Sequence, residues 1–212
     1  AASVMLRLVE EIRENTMKIR MVPIGETFSR FNRVLRDISM ECGKEIGLVV
    51  SGGDTELDKT VVEKIADPLM HLVRNAADHG LERPEIRVSN GKPAKGTIRL
   101  NAFHDAGTIV IEVEDDGKGL NRERIYDKAV RQGLVAQGQN LTDQEICRLI
   151  FEPGFSTADQ VTKLSGRGVG MDVVKRNIES LRGTVDVEST EGMGVKVRIR
   201  LPLTLAIIDG FM

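Results

Sequence analysis

Three groups of residues in this 212-residue chain have types and spacings suited to chemistry. The first lies in a predicted helix from about Thr60 to Asp78. On a wheel of about 100° per residue, Asn75 and Asp78 fall within about 40° of His71. Ile65, Leu69, Leu72, Val73 and Ala76 fall on the other side. An imidazole, a carboxamide and a carboxylate therefore share one stripe. Such a stripe offers nitrogen and oxygen ligands to a hard cation, and Asn suits this because its carbonyl coordinates without added charge. The same pattern also fits an amphipathic helix that shows its polar face to water.

The second group, Glu114-Asp115-Asp116-Gly117-Lys118-Gly119, follows a predicted strand. The glycines let the backbone turn sharply and approach a ligand, and a carboxylate at a strand end can accept a hydrogen bond from an exocyclic amine such as that of adenine. Acidic, Gly-rich turns are also common strand caps. The third group, Ser165-Gly166-Arg167-Gly168-Val169-Gly170-Met171, opens a predicted helix. Glycines there leave N–H groups open at the positive end of the helix dipole, which favours phosphate. The run is not a P-loop, and no parallel βαβ unit frames it as a dinucleotide turn. A hinge or a closely packed helix start is the plainer alternative.

The elements that position these groups can be read from periodicity. Helical spacing is present over 4–20 (Met5, Leu8, Val9, Ile12) and again at Phe28, Phe31, Leu35 and Ile38, with Gly43 as a stop. Ile46–Val50 reads as a strand. The helix 60–78 opens with Thr60 and Glu63 in capping-box spacing, and Pro68 inside it predicts a kink or a late start. Thr97–Phe103 and Thr108–Glu114 alternate apolar and polar residues, as strands with one buried face do. Short helical patterns follow at 124–132 and 142–151. The polar stretch 156–165 has no periodicity, as expected of a lid or binding loop. A last helix, about 169–182, precedes strands Thr184–Glu188 and Val195–Leu201. The sum is helices on one face of a mixed, mostly antiparallel sheet.

Composition removes several function classes. With 30 Lys+Arg against 32 Asp+Glu, the net charge of −2 gives no general attraction to nucleic acid or anionic membrane. Aromatic residues are only 3% of the chain, too few for base-stacking platforms. No apolar run approaches the ~20 residues of a membrane helix, and no signal peptide opens the chain. Cys42 and Cys147 form no disulfide framework or zinc pattern, so a cytoplasmic protein is expected. The chain starts with Ala1, the expectation being a piece of something longer.

Taken in order, HxxxNxxDHG on a helix, DxGxG after a strand, FEPGFST, and GxGxG opening a helix form a combination far more specific than its parts. It resembles the ATP-binding domain of the GHKL superfamily, which holds histidine kinases, gyrase-type topoisomerases, Hsp90 chaperones and MutL repair proteins. RMVPIGETFSRF (20–31), DPLMHLVRNAADHGLE (67–82), VEDDGKGL (113–120), the run 150–185 and LPLTLAIIDGFM (201–212) are similar to the bacterial chemotaxis histidine kinases. The resemblance covers nearly everything from residue 17 onward. It implies an α+β fold, the two-layer α/β sandwich of GHKL (Bergerat) type. It also implies three parts: the tail of a dimerisation domain over 1–20, the ATP-binding kinase domain over 21–206, and the lead-in to a regulatory domain over 207–212.

Carried over by position, Asn75 is the Mg²⁺-coordinating residue, and His71, one turn earlier, helps assemble the metal–phosphate site. These two are the implied catalytic and metal residues. Asp78 and His79 complete that motif beside the nucleotide. Asp115 reads the adenine amine, and Gly117 and Gly119 permit close approach. Phe151, Phe155, Ser156 and Thr157 form the base of a lid over 156–168. Ser165, Gly166, Arg167, Gly168, Val169, Gly170 and Met171 form the phosphate-binding turn, where Lys163 and Arg167 would add positive charge.

The implied ligands are ATP and Mg²⁺, and the implied reaction is transfer of the γ-phosphoryl to a His on a separate histidine phosphotransfer domain. Response regulators, a CheW-type adaptor and chemoreceptors would follow as partners through further domains, with a homodimer as the full-length state. In the gyrase and Hsp90 branches a water-activating Glu stands where this chain has His71, so hydrolysis should be slow. The alternative is a GHKL ATPase that uses lid closure for conformational switching. Of the three histidines, His71 and His79 lie in the nucleotide motif, and His104 at a hairpin turn is expected to be solvated.

Overall fold

The alternating residues of 97–114 form a hairpin, β4 (Gly96–Asp105) and β5 (Thr108–Asp115). It is the centre of a computed structural model that describes residues 4–9, 11–12, 20–155 and 170–203. Three more strands complete the sheet: β2 (Ile46–Ser51), β6 (Thr184–Thr190) and β7 (Gly194–Pro202). The order is β2-β4-β5-β7-β6, with β2 parallel to β4 and every other pair antiparallel. The period of two separates the faces. Ile98, Leu100, Ala102, Ile111, Val113, Val197 and Ile199 are buried on one of them. The other carries cross-strand ion pairs, among them Lys196–Glu114 at 2.8 Å and Arg198–Glu112 at 2.9 Å.

Helices α1 (Gly25–Cys42), α2 (Lys59–Asn75) and, after three others, α6 (Met171–Ser180) cover the apolar face. Those three are α3 (Pro84–Ser89), α4 (Arg122–Arg131) and α5 (Asp143–Arg148), the last continued by a 3₁₀ turn, Leu149–Phe151. Phe28, Phe31, Leu35 and Ile38 of α1 are buried at the predicted spacing, and Gly43 ends the helix in the left-handed region at φ 63°. Ile65, Leu69, Leu72 and Val73 of α2 and Val174 and Ile178 of α6 join them in one core. The expected two-layer α+β sandwich is present.

Two expectations at the start of α2 need correction. The cap is not Thr60; the Asp58 carboxylate accepts from the Thr60 N–H at 2.8 Å, so the helix starts one residue earlier and no Thr60–Glu63 box forms. The late start expected from Pro68 does not occur: the helix runs through it with the ring buried against the core. Burial of that ring offsets the missing N–H bond. A ribbon absent from the sequence reading pairs β1 (Met21–Pro23) with β3 (Glu56–Asp58). Beside it, the Arg20 guanidinium donates to Thr60 Oγ1 at 2.6 Å and to Asp58 Oδ1 at 3.3 Å. Residues 4–9 and 11–12 are helical, with Met5, Leu8, Val9 and Ile12 exposed.

Candidate functional site

The C-terminal end of α2 does not continue as α-helix. Residues Ala76–Gly80 form a π-helical turn closed by the Leu81 N–H on the Ala76 carbonyl at 2.8 Å. Lys44 secures it by donating Nζ to the Ala77 and Asp78 carbonyls, each at 2.7 Å. The wheel that aligns Asp78 with His71 therefore does not hold through this turn. The Asp78 carboxylate lies beside α1, where Cys42 Sγ approaches Oδ1 at 3.9 Å. His79, on the same turn, is exposed.

The turn brings Gly80 against the end of β5. A Cβ on Gly80 would lie 3.1 Å from the Asp115 carboxylate, and one on Gly117 would lie 2.2 Å from the Gly80 carbonyl oxygen. Gly117 is thus required for contact between two protein segments, a tighter demand than ligand approach alone. Gly119 adopts φ 75° against the Thr190 carbonyl. Asp115 itself is 6% exposed. Burial pushes its carboxyl up to about 6, opposed by the Gly117 and Val195 N–H groups and reinforced by Asp116 and Glu82. A buried carboxylate at a strand end, still ionised at neutral pH, is a strong acceptor for an amine on a flat ligand.

Behind this loop lies a buried charged network that sequence reasoning missed. Arg87, 1% exposed on α3, donates to Glu82, to the Asp116 carboxylate and carbonyl, and to the Pro93 carbonyl. Lys92 donates to Glu82 Oε1 at 2.8 Å and to the Asp116 and Gly117 carbonyls. The signal available in advance was Pro84 at a helix start and a run of charges on both sides of it, which alone reads as a solvated surface helix.

At the other end of the site, α2 meets the start of α6. Asn75 Nδ2 donates to Met171 Sδ at 3.3 Å, which turns its carbonyl oxygen the opposite way. Among the described residues no side chain caps α6 at Gly170, and the positive end of its dipole favours an anion there. His71 is half-buried, and burial, followed by Arg74 and His79, holds its pKa below the usual value. It is a neutral imidazole at pH 7. Among the described residues, no group of three or more His, Cys, Asp or Glu could hold a metal. The Asn75 carboxamide oxygen suits a hard cation such as Mg²⁺ that arrives largely coordinated by phosphates and water, whereas the His71 imidazole is a softer donor that suits a water on such a cation better than the cation itself.

Phe151 and Phe155 are buried in the core, with Lys128 Nζ 5.6 Å above the Phe155 ring. Phe155 anchors the chain there rather than presenting its ring to solvent. Ser156, Thr157, Lys163, Ser165, Gly166, Arg167, Gly168 and Val169 lie outside the described residues. His104 is exposed near the end of β4, as expected.

The family described as histidine kinase-, DNA gyrase B- and HSP90-like ATPase matches residues 64–205. The chain belongs to this family. Chemotaxis protein CheA of Salmonella typhimurium is 55% identical over 204 residues, covering 96% of this chain and 30% of that protein. CheA of Treponema pallidum is 54% identical over 206 residues and CheA of Bacillus subtilis 49% over 207, covering 25% and 31% of those proteins. The chain therefore spans about a third or less of the relatives it matches, and its likeness to them runs along nearly its whole length. The catalytic domain of histidine kinase ThkA has a TM-score of 0.53 at 17% identity, over 87% of this chain and 95% of that one. The mycobacterial sensor histidine kinase MprB also gives 0.53, at 18% identity, over 86% and 95%. These structures share the family fold. No helix among the described residues is long and apolar enough to cross a membrane.

Proposed function

We propose that this chain is the ATP-binding catalytic core of a CheA-type protein-histidine kinase. The observation that carries this reading is Asp115, a buried and ionisable acceptor at the end of β5, joined through Gly80 to the helix that bears His71 and Asn75. Adenine donates its exocyclic amine to Asp115. The triphosphate runs toward Asn75 and the N-terminus of α6, where the helix dipole favours negative charge. Mg²⁺, when bound, neutralises phosphate charge; Asn75 would hold it, and His71 would hold a water on it. By resemblance, Ser165 to Met171 would bind the phosphates, with Lys163 and Arg167 adding charge.

In the transfer step, an imidazole nitrogen of the acceptor His bonds to the γ-phosphorus while the bond to the β–γ bridging oxygen breaks. ADP leaves with that electron pair. The chain's part is positioning and electrostatic stabilisation. His71 stands where the gyrase and Hsp90 branches carry a water-activating Glu, and the absence of that carboxylate supports transfer over hydrolysis. The acceptor lies on a histidine phosphotransfer domain. Residues 1–20 as the tail of a dimerisation domain, 21–206 as the kinase domain and 207–212 as a lead-in to a regulatory domain complete the proposal. So do a cytoplasmic homodimer and coupling to response regulators, a CheW-type adaptor and chemoreceptors.

The test mixes the purified chain, γ-labelled ATP, Mg²⁺ and a histidine phosphotransfer domain. Acid-labile label on the added domain is the expected result. Rapid steady-state hydrolysis by the chain alone would instead favour a switching ATPase, and binding without either outcome would leave a nucleotide-dependent interaction module.

A further inference from the structure

We infer that Arg87 and Lys92 are positioning residues that set the base preference of this site by fixing the orientation of the Asp116–Gly117 peptide. The inference deepens the nucleotide reading and rests on it for what Asp115 meets.

A trans peptide is planar, and its C=O and N–H point in opposite directions. On one side of this peptide, the Asp116 carbonyl accepts from Arg87 Nη1 at 3.1 Å and from Lys92 Nζ at 3.0 Å. On the other, the Gly117 N–H donates to Asp115 Oδ1 at 2.9 Å. Two cations holding the oxygen therefore aim the amide at the carboxylate that is to read the base. The flanks of the peptide are also held. Lys92 Nζ reaches the Gly117 carbonyl at 2.7 Å, and the Asp116 carboxylate bridges the Thr97 N–H at 2.9 Å and Arg87 Nη2 at 3.0 Å. Glu82 accepts from both cations, so the four charges sum to zero.

Burying such a cluster is a poor route to stability, because desolvation offsets much of the attraction. What it provides here is direction. With the carbonyl released, the peptide can rotate, the Gly117 N–H leaves Asp115, and a carbonyl oxygen can face the carboxylate instead. Glycine at 117 sets no barrier to that rotation through its own side chain. The carboxylate then loses its fixed aim toward a 6-amino group, and discrimination against a 6-oxo purine weakens.

The experiment measures dissociation constants for ATP and ITP, whose bases differ in the 6-substituent and in the proton that the 6-oxo form carries on N1, by calorimetry in the parent chain, Lys92→Met and Arg87→Met. Thermal melting and hydrogen exchange at the Gly117 amide are recorded alongside. The ATP-over-ITP ratio should fall about fivefold in Lys92→Met, the scale of one well-placed hydrogen bond, and further in Arg87→Met. The Gly117 amide should exchange faster in both. If Arg87→Met does not fold, Lys92→Met decides alone, since it leaves Arg87 on Glu82 and Asp116. A lower melting temperature with an unchanged ratio would overturn the positioning role and leave a structural one. A parent chain indifferent between ATP and ITP would remove the nucleotide reading, a failure separate from a parent preference that survives both substitutions.

Discussion

The two ends of the candidate site are built differently. At the Asp115 end, the loop is held by many bonds: the buried Arg87, the half-buried Lys92, two carboxylates and several backbone groups interlock behind a carboxylate that is itself 6% exposed. At the Asn75 end, the described contact is a soft one, carboxamide to thioether, at the start of a helix whose first turn carries no side-chain cap. A rigid pocket suits a flat base whose pattern of donors does not change. A loosely held end suits phosphates, whose charge and number change through the reaction cycle and whose cation brings its own ligands. Under the proposed reading, selectivity would reside where the backbone is fixed, and chemistry at the Asn75 end.

That contrast can be broken at either end. The largest effect is expected from Asn75→Ala. It should abolish Mg²⁺-dependent nucleotide binding and leave the melting curve close to that of the parent. Equal affinities with and without the metal in the parent would contradict the assignment. Next is Gly117→Ala, whose methyl would stand 2.2 Å from the Gly80 carbonyl oxygen. Forcing these segments apart should cost about 2–3 kcal/mol of stability, read by denaturant unfolding, together with nucleotide affinity.

Asp115→Asn should separate binding from stability. It is expected to weaken ATP binding by ~1.5–3 kcal/mol, the scale of a charge-assisted hydrogen bond. Yet the folded carboxyl titrates near about 6 against an ordinary 3.8, so the folded state prefers the protonated form. The stability that this preference contributes is full below pH ~4 and lost as pH rises through 6, a swing of up to ~3 kcal/mol. The Asn variant should therefore melt higher than the parent at pH 7.5, with no such gain at pH 4. Equal gains at both pH values would mean the carboxylate is not strained by burial. The smallest effect is expected from Met171→Leu, which keeps volume but removes the sulfur that Asn75 faces. A loss of roughly 0.5 kcal/mol in metal-dependent binding, measured by titration at fixed Mg²⁺, would fit a soft contact.

The legible parts of the molecule were those whose signal is local. Phe28, Phe31, Leu35 and Ile38 mark α1 by spacing alone, and the alternation through Ile98 and Ile111 marks the central hairpin. Asn75 at the end of α2 and Asp115 at the end of β5 stand on the elements that their motifs predict. What stayed hidden depends on partners distant in the chain. Nothing near Arg87 reveals that Asp116 will neutralise it from across the loop. Asp58 caps α2 in place of Thr60 because β3 delivers it there in extended conformation. The π turn that displaces Asp78 is held by Lys44, which lies beyond the end of α1.

The small ribbon of Met21–Pro23 with Glu56–Asp58 has a mechanical meaning. Its last residue is the cap of α2, and Arg20 grips that cap and the Thr60 hydroxyl together. From that grip α2 runs roughly 25 Å as a continuous rod to Asn75. The base of the helix that bears His71 and Asn75 is thereby pinned to the ribbon at its cap.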